Sequence, residues 1–158
     1  IARPRRLKRL IEIAPEADAV QRLGALALFI EENAERLRER LRLSNEEAAR
    51  LKSMAGRPVA TSSTRENELK ALLYRLGPAF YRDRVLFSGD AGKALSLAER
   101  WAVPRFPVTA AQLMERGVPK GPRLGAALAH IEEMWIAAGF PEDALSIDRL
   151  TTQGLAAV

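Results

Sequence analysis

Lys120, Gly121, Pro122 and Arg123 form the run whose residue types and spacing could do chemistry on a ligand. Glycine lets a backbone approach a bound group closely, and a proline that opens a helix sits among backbone N–H groups at the positive end of the helix dipole. Lys120 adds a compact charge and Arg123 a planar fork of donors. Together they suit phosphate, the repeating anion of a nucleic-acid backbone. The same run also suits an ordinary αα-hairpin whose two cations are merely solvated.

Other chemistries find few residues. The chain has no cysteine, which removes disulfides, thiolate zinc sites and thiol nucleophiles and fits a reducing, cytoplasmic setting. His130 is the only histidine and is followed by Ile131, Glu132 and Glu133, so it reads as a helix-surface or packing residue rather than a metal ligand. Lys and Arg exceed Asp and Glu by 25 − 20 = 5, a modest excess that favours an anionic partner without demanding one. Leu23 to Ile30 is the longest mostly apolar run, far short of the ~20 residues that span a bilayer. The opening at Ile1, with Arg3, Arg5, Arg6, Lys8 and Arg9 close behind, gives the expectation of a piece of a longer chain.

The elements that must position the turn are helical. Leu, Ala, Glu and Arg dominate and no stretch alternates cleanly, so the expected class is all-α, a bundle of about nine to ten short helices. A basic helix is expected over 5–13, followed by one with Pro15 in its first turn that reaches Ile30. Ile30, Ala34, Leu37 and Leu41 form an apolar stripe, with Glu32–Arg36 and Glu39–Arg42 pairs on the wet side. Ser44 and Glu47 have capping-box spacing, and Gly56 is expected as a left-handed C-cap; Ser63 and Glu66 repeat the box after a 57–62 loop. Leu69, Leu72, Leu73 and Leu76 lead to Gly77. The helix from Pro78 stops near Ser88-Gly89-Asp90, and Ala94, Leu97, Ala98 and Trp101 mark the next.

The prolines in Val103-Pro104-Arg105-Phe106-Pro107 exclude a helix and set the expected junction between units 1–103 and 104–158. Beyond it Thr109 caps a short helix that Gly117 ends, and Pro122 opens another. Leu124, Leu128, Ile131, Trp135 and Ala138 give that helix a buried stripe, closed by Gly139. Trp101 and Trp135 are read as core.

Phe106-Pro107-Val108-Thr109, then Gly117-Val118-Pro119-Lys120-Gly121-Pro122-Arg123-Leu124-Gly125, then Trp135 and Phe140-Pro141, resembles the C-terminal region of bacterial CCA-adding tRNA nucleotidyltransferases, a group that includes poly(A)-polymerase-like proteins. Upstream, Leu41-Arg42-Leu43-Ser44-Asn45-Glu46-Glu47-Ala48 is similar to the family's Arg-Leu-Ser-Asn segment, and Tyr81-Arg82-Asp83 to its Tyr/Phe-Arg-Asp helix. The resemblance runs from Pro15 to Leu150. It implies the helical body (1–103) and tail (104–158) of a class II enzyme.

The family's Gly-Ser turn with an Asp-x-Asp pair and its Glu-Asp-x-x-Arg strand are absent. The resemblance therefore implies no catalytic residue, no metal site and no cofactor in this chain, Mg and CTP or ATP belonging to a catalytic domain that lies elsewhere. The His-Asp ligands of the phosphohydrolase domain carried by some relatives are missing too. The implied partners are tRNA, held by its acceptor and T arms, and the N-terminal catalytic and neck domains of the same protein. The implied RNA-binding residues are Lys120, Gly121, Pro122 and Arg123, flanked by Arg105 and Arg116, with the Arg3 to Arg9 cluster as a second candidate or a packing helix. The other class of reading is an all-helical protein-interaction or dimerisation module.

Overall fold

Helix formers and well-placed caps, rather than β-branched runs, decide the architecture. The computed structural model describes residues 4–28, 30–56, 59–61, 63–88 and 90–157, so Arg3, the Arg57, Pro58 and Ser62 of the expected loop, and Gly89 lie outside the described residues. Among the described residues the regular structure is all helical: α1 (Pro4–Ile13), α2 (Ala19–Ala27), α3 (Glu31–Leu41), α4 (Asn45–Met54), α5 (Glu66–Val85), α6 (Ala91–Arg100), α7 (Ala110–Glu115), α8 (Pro122–Ala137) and α9 (Ala144–Ala156). The chain packs as two compact units, Ile1–Ala102 and Val103–Val158.

In the first unit, α2 starts later and ends earlier than expected. Pro15 lies in a turn after α1, where Ala17 N–H donates to the Ala14 carbonyl at 3.0 Å. The signal that sets the start of α2 is Asp18 with Gln21: the Asp18 carboxylate accepts the Gln21 N–H at 2.9 Å, and Gln21 Oε1 accepts the Asp18 N–H at 3.1 Å. The helix stops at Ala27 because Leu28 turns extended.

The stripe on α3 is shorter than its sequence period. Ala34 is buried against α4, but Ile30 and Leu41 at the two ends are 56% and 53% exposed. Arg42 leaves the helix in the left-handed conformation (φ 52°), so it is no longer one helical turn from Glu39. The ion pair within α3 joins Arg38 to Glu35 instead of the pairs expected at Glu32–Arg36 and Glu39–Arg42.

The Ser44–Glu47 box caps α4 as its spacing demands, with Ser44 N–H donating to Glu47 Oε2 at 2.8 Å. Gly56, by contrast, is not left-handed: Ala55 is the C-cap with helical angles. A Cβ at Gly56 would stand 2.7 Å from Arg84 Nη1, the far end of a flexible side chain. At the next helix the reciprocal contact belongs to Arg65 and Glu68, whose carboxylate accepts the Arg65 N–H at 3.0 Å, and not to Ser63 and Glu66. Helix α5 breaks at Gly77 and resumes at Pro78. Leu69, Leu73, Tyr81 and Val85 pack there with Ala94 and Leu97 of α6. Tyr81 is fully buried and donates its hydroxyl to the Ala94 carbonyl at 2.9 Å; burial pushes its phenol up to about 12.

The second unit is a three-helix arrangement with its own core of Val108, Leu113, Leu124, Ala127 and Ile131. Thr109 Oγ1 caps α7 by accepting the Gln112 N–H at 3.3 Å. The buried face of α8 carries Leu124, Ala127, Ile131, Trp135 and Ile136, with Leu128 half-buried. Ala138, expected at the end of the stripe, is exposed, because α8 stops at Ala137 and Gly139 (φ 87°) reverses the chain. Helix α9 adds to the expected elements; Asp143 caps it by accepting the Ser146 N–H at 2.8 Å.

Helix α9 sits so close to α8 that a Cβ at Gly154 would stand 2.5 Å from Ile131 Cγ1. Gly154→Ala is therefore expected to lower the stability of this unit by ~1–3 kcal/mol, the usual cost of overpacking. Thermal or urea unfolding followed by helical circular dichroism checks it, and an unchanged midpoint would contradict the close packing.

Several carboxylates are held ionised by their caps and partners. Burial pushes the Asp18 carboxyl up, but the Gln21 N–H and the Arg50 guanidinium outweigh it and leave it below its ordinary value. The Ser44 N–H lowers Glu47 and the Arg100 guanidinium lowers Glu66. A carboxylate lowered in the folded state binds fewer protons there than when unfolded, so its stabilisation is complete above the unfolded value of about 4. It is lost as pH falls through the lower folded values. Denaturant midpoints are accordingly expected to be flat from pH 7 to about 5 and to fall below about 4.

Candidate nucleic-acid interface

The Lys120–Arg123 turn is built by the end of α7 and the start of α8. Gly117 (φ 89°) ends α7, its N–H donating to the Met114 carbonyl at 2.9 Å, while Val118 N–H donates to the Leu113 carbonyl at 3.0 Å. Gly121 then takes φ 146°, which disfavours any residue with a Cβ, and stands as the N-cap of α8 with no side-chain cap bond. Pro122 is the first helical residue, and Leu124 N–H returns to the Gly121 carbonyl at 3.1 Å. Lys120, Gly121, Pro122 and Arg123 are all exposed.

The flanking arginines differ. Arg116 is engaged: Nη2 donates to Asp148 Oδ1 at 2.5 Å and Nη1 to Thr152 Oγ1 at 3.3 Å, both on α9. It shares with Arg123 a groove of about 210 Å³ lined also by Val118, Pro119, Ala127 and Leu155. Arg105 is exposed in the extended 101–109 segment and is not among the residues lining that groove. Of the basic residues on α1, Arg5, Lys8 and Arg9 are exposed, whereas Arg6 turns inward, donating to the Leu28 carbonyl at 2.6 Å and covering the Phe87 ring at 5.2 Å.

Other motifs that carry the resemblance serve the fold. In Tyr81-Arg82-Asp83, Tyr81 fills the core, Arg82 pairs with Glu16, and Asp83 is completely buried. Asp83 accepts from Arg50 Nε at 2.6 Å and Nη2 at 2.9 Å and from Gln21 Nε2 at 2.8 Å, while Arg50 Nη2 reaches Asp18 at 2.7 Å. This network ties α2, α4 and α5 together. Sequence reasoning missed it, as it missed Asp148 and Thr152, since nothing local marks partners that are 32 to 62 residues apart. Downstream, Trp135 is 2% exposed, donates Nε1–H to the Pro141 carbonyl at 2.9 Å, and packs on Phe106 and Phe140 at 5.5 and 4.9 Å between ring centres. Its ring is core and offers no face to a base.

Chemistry of other kinds has little to stand on. Asp83 is shut from solvent with both oxygens occupied, so it has no access to a substrate proton. No group of three or more His, Asp or Glu among the described residues could hold a metal ion, and His130 is exposed on α8. No described helix is long and apolar enough to cross a membrane. What the second unit offers is a helix start without a side-chain cap beside Lys120 and Arg123, with Arg116 held on the groove that it shares with Arg123. No family model matches the chain, and no curated protein matches it.

Proposed function

We propose that this chain is the C-terminal, tRNA-binding part of a CCA-adding tRNA nucleotidyltransferase of the poly(A)-polymerase family. It holds tRNA in place while a catalytic domain elsewhere in the protein extends the 3′ end with CTP and ATP in the presence of Mg. Residues 1–103 correspond to the body and 104–158 to the tail, and the protein works in the cytoplasm.

The observation that carries this reading is the state of Lys120 and Arg123. Arg50, Arg82, Arg100 and Arg116 each meet a carboxylate, whereas Lys120 and Arg123 meet none among the described residues and stand at an α8 start that no side chain caps. Unneutralised cations at a helix N-terminus suit phosphate. Helical RNA is held in this way, through backbone and shape. Labelled, folded tRNA titrated with the chain is expected to show saturable binding by fluorescence anisotropy; undetectable binding would contradict the reading. No incorporation of labelled CTP or ATP is expected, because two-metal chemistry needs carboxylates converging on both ions and no such group stands among the described residues.

The competing reading, a protein-interaction or dimerisation module, draws on exposed Ile30, Leu41 and Leu145. Leu145 belongs to a different unit from the other two. Concentration-dependent self-association that persists at high salt, without tRNA binding, would favour it.

A further inference from the structure

Arg116 looks at first like a cation lost to the interface, since Asp148 and Thr152 occupy it. The geometry points to the opposite role. We infer that Asp148 and Thr152 are positioning residues that hold the Arg116 guanidinium ready for a phosphodiester of helical RNA in the Arg116–Arg123 groove. This rests on the tRNA-binding reading above.

A guanidinium has five N–H donors in a fixed plane. The two contacts seen use one donor on Nη2 and one on Nη1, which leaves Nε–H and one further N–H on each terminal nitrogen. The side chain stays 38% exposed. Arg116 also lines the same 210 Å³ groove as Arg123, which meets no carboxylate among the described residues. Without α9, Arg116 would follow a seven-atom side chain into solvent and its rotamer freedom would oppose a fixed contact. Fixed by Asp148 and Thr152, that freedom is spent before a ligand arrives, which is how preorganisation raises affinity. The arrangement also gives α9 a place in the site that the Lys120–Arg123 turn alone does not require.

Asp148 is a negative charge beside a polyanion site, so long-range electrostatics alone predicts that removing it strengthens RNA binding. Positioning predicts that Asp148→Ala weakens it, by about fivefold for one oriented cation contact. Asp148→Asn keeps an acceptor oxygen for Arg116 and is expected to retain most of the affinity. Thr152→Val tests the second contact, with a smaller loss.

The test is a titration of folded tRNA with the full 158-residue chain and these variants, at several salt concentrations and with helicity checked by circular dichroism. Weaker binding for Asp148→Ala, rescue by Asn, and a salt slope shallower by roughly 0.7 to 0.9, the contribution of one phosphate contact, would support the proposal. Equal or tighter binding by Asp148→Ala, while Lys120→Glu with Arg123→Glu still weakens binding, would overturn the proposal and leave the tRNA-binding reading standing. No binding by the unaltered chain would overturn both. Should Asp148→Ala lose helicity, Thr152→Val decides: unchanged affinity and slope overturn the proposal.

Discussion

Asp83→Ala is expected to unfold the first unit or bring it close to unfolding. Asp83 is 0% exposed, and its two oxygens take three hydrogen bonds from Arg50 and Gln21. Removing the carboxylate leaves Arg50, itself only 17% exposed, without its main counter-charge. The hydrogen bonds from Arg50 to Asp83, with that to Asp18, also hold the guanidinium proton more tightly than usual, and that stabilisation goes with them. Breaking one partner of a buried pair costs ~3–5 kcal/mol, against a whole-protein stability of about 5–15 kcal/mol. Because the two units have separate cores, thermal unfolding followed by hydrogen exchange should show protection lost around α2, α4 and α5 and kept around α8. A midpoint within a degree or so of the parent would contradict the assigned role of Asp83.

The second large effect concerns binding. Lys120→Glu combined with Arg123→Glu replaces two cations by two anions on an exposed turn, so on the tRNA-binding reading it removes two phosphate contacts and adds repulsion. Affinity for folded tRNA is expected to fall by about a hundredfold at low salt, the product of roughly tenfold per site. The salt slope should become shallower by about 1.5. Stability should change by no more than about 0.5 kcal/mol, since both side chains are exposed and Gly121 and Pro122 are untouched. An affinity unchanged in a folded variant would move the interface away from this turn.

The parts of this fold that are local in sequence were readable from it. The Ser44–Glu47 cap, the break at Gly77-Pro78 and the Thr109 cap each depend on residues within one turn of each other, and the structure has them. The errors arise where a local signal competes with another. Asp18–Gln21 overrides Pro15 as the start of α2, Arg65–Glu68 overrides Ser63–Glu66, and Arg42, not a glycine, takes the left-handed turn after α3. Gly56 shows the other limit, because its backbone is not left-handed and the side chain nearest to it is that of Arg84, 28 residues away. The candidate site divides the same way. The exposed turn at Lys120 to Arg123 is a property of four adjacent residues, while the capture of Arg116 by α9 joins positions 116, 148 and 152. The burial of Asp83 joins three helical positions, Gln21, Arg50 and Asp83, and has no periodicity to betray it.

If this chain grips tRNA through phosphate contacts, as proposed, its tRNA affinity must depend steeply on salt. Each phosphate neutralised contributes about −0.7 to −0.9 to the slope of log Kobs against log salt. Contacts from Lys120, Arg123, Arg116 and neighbouring cations predict a slope of about −3 or steeper. A slope near zero, or no detectable binding at low salt, would contradict it.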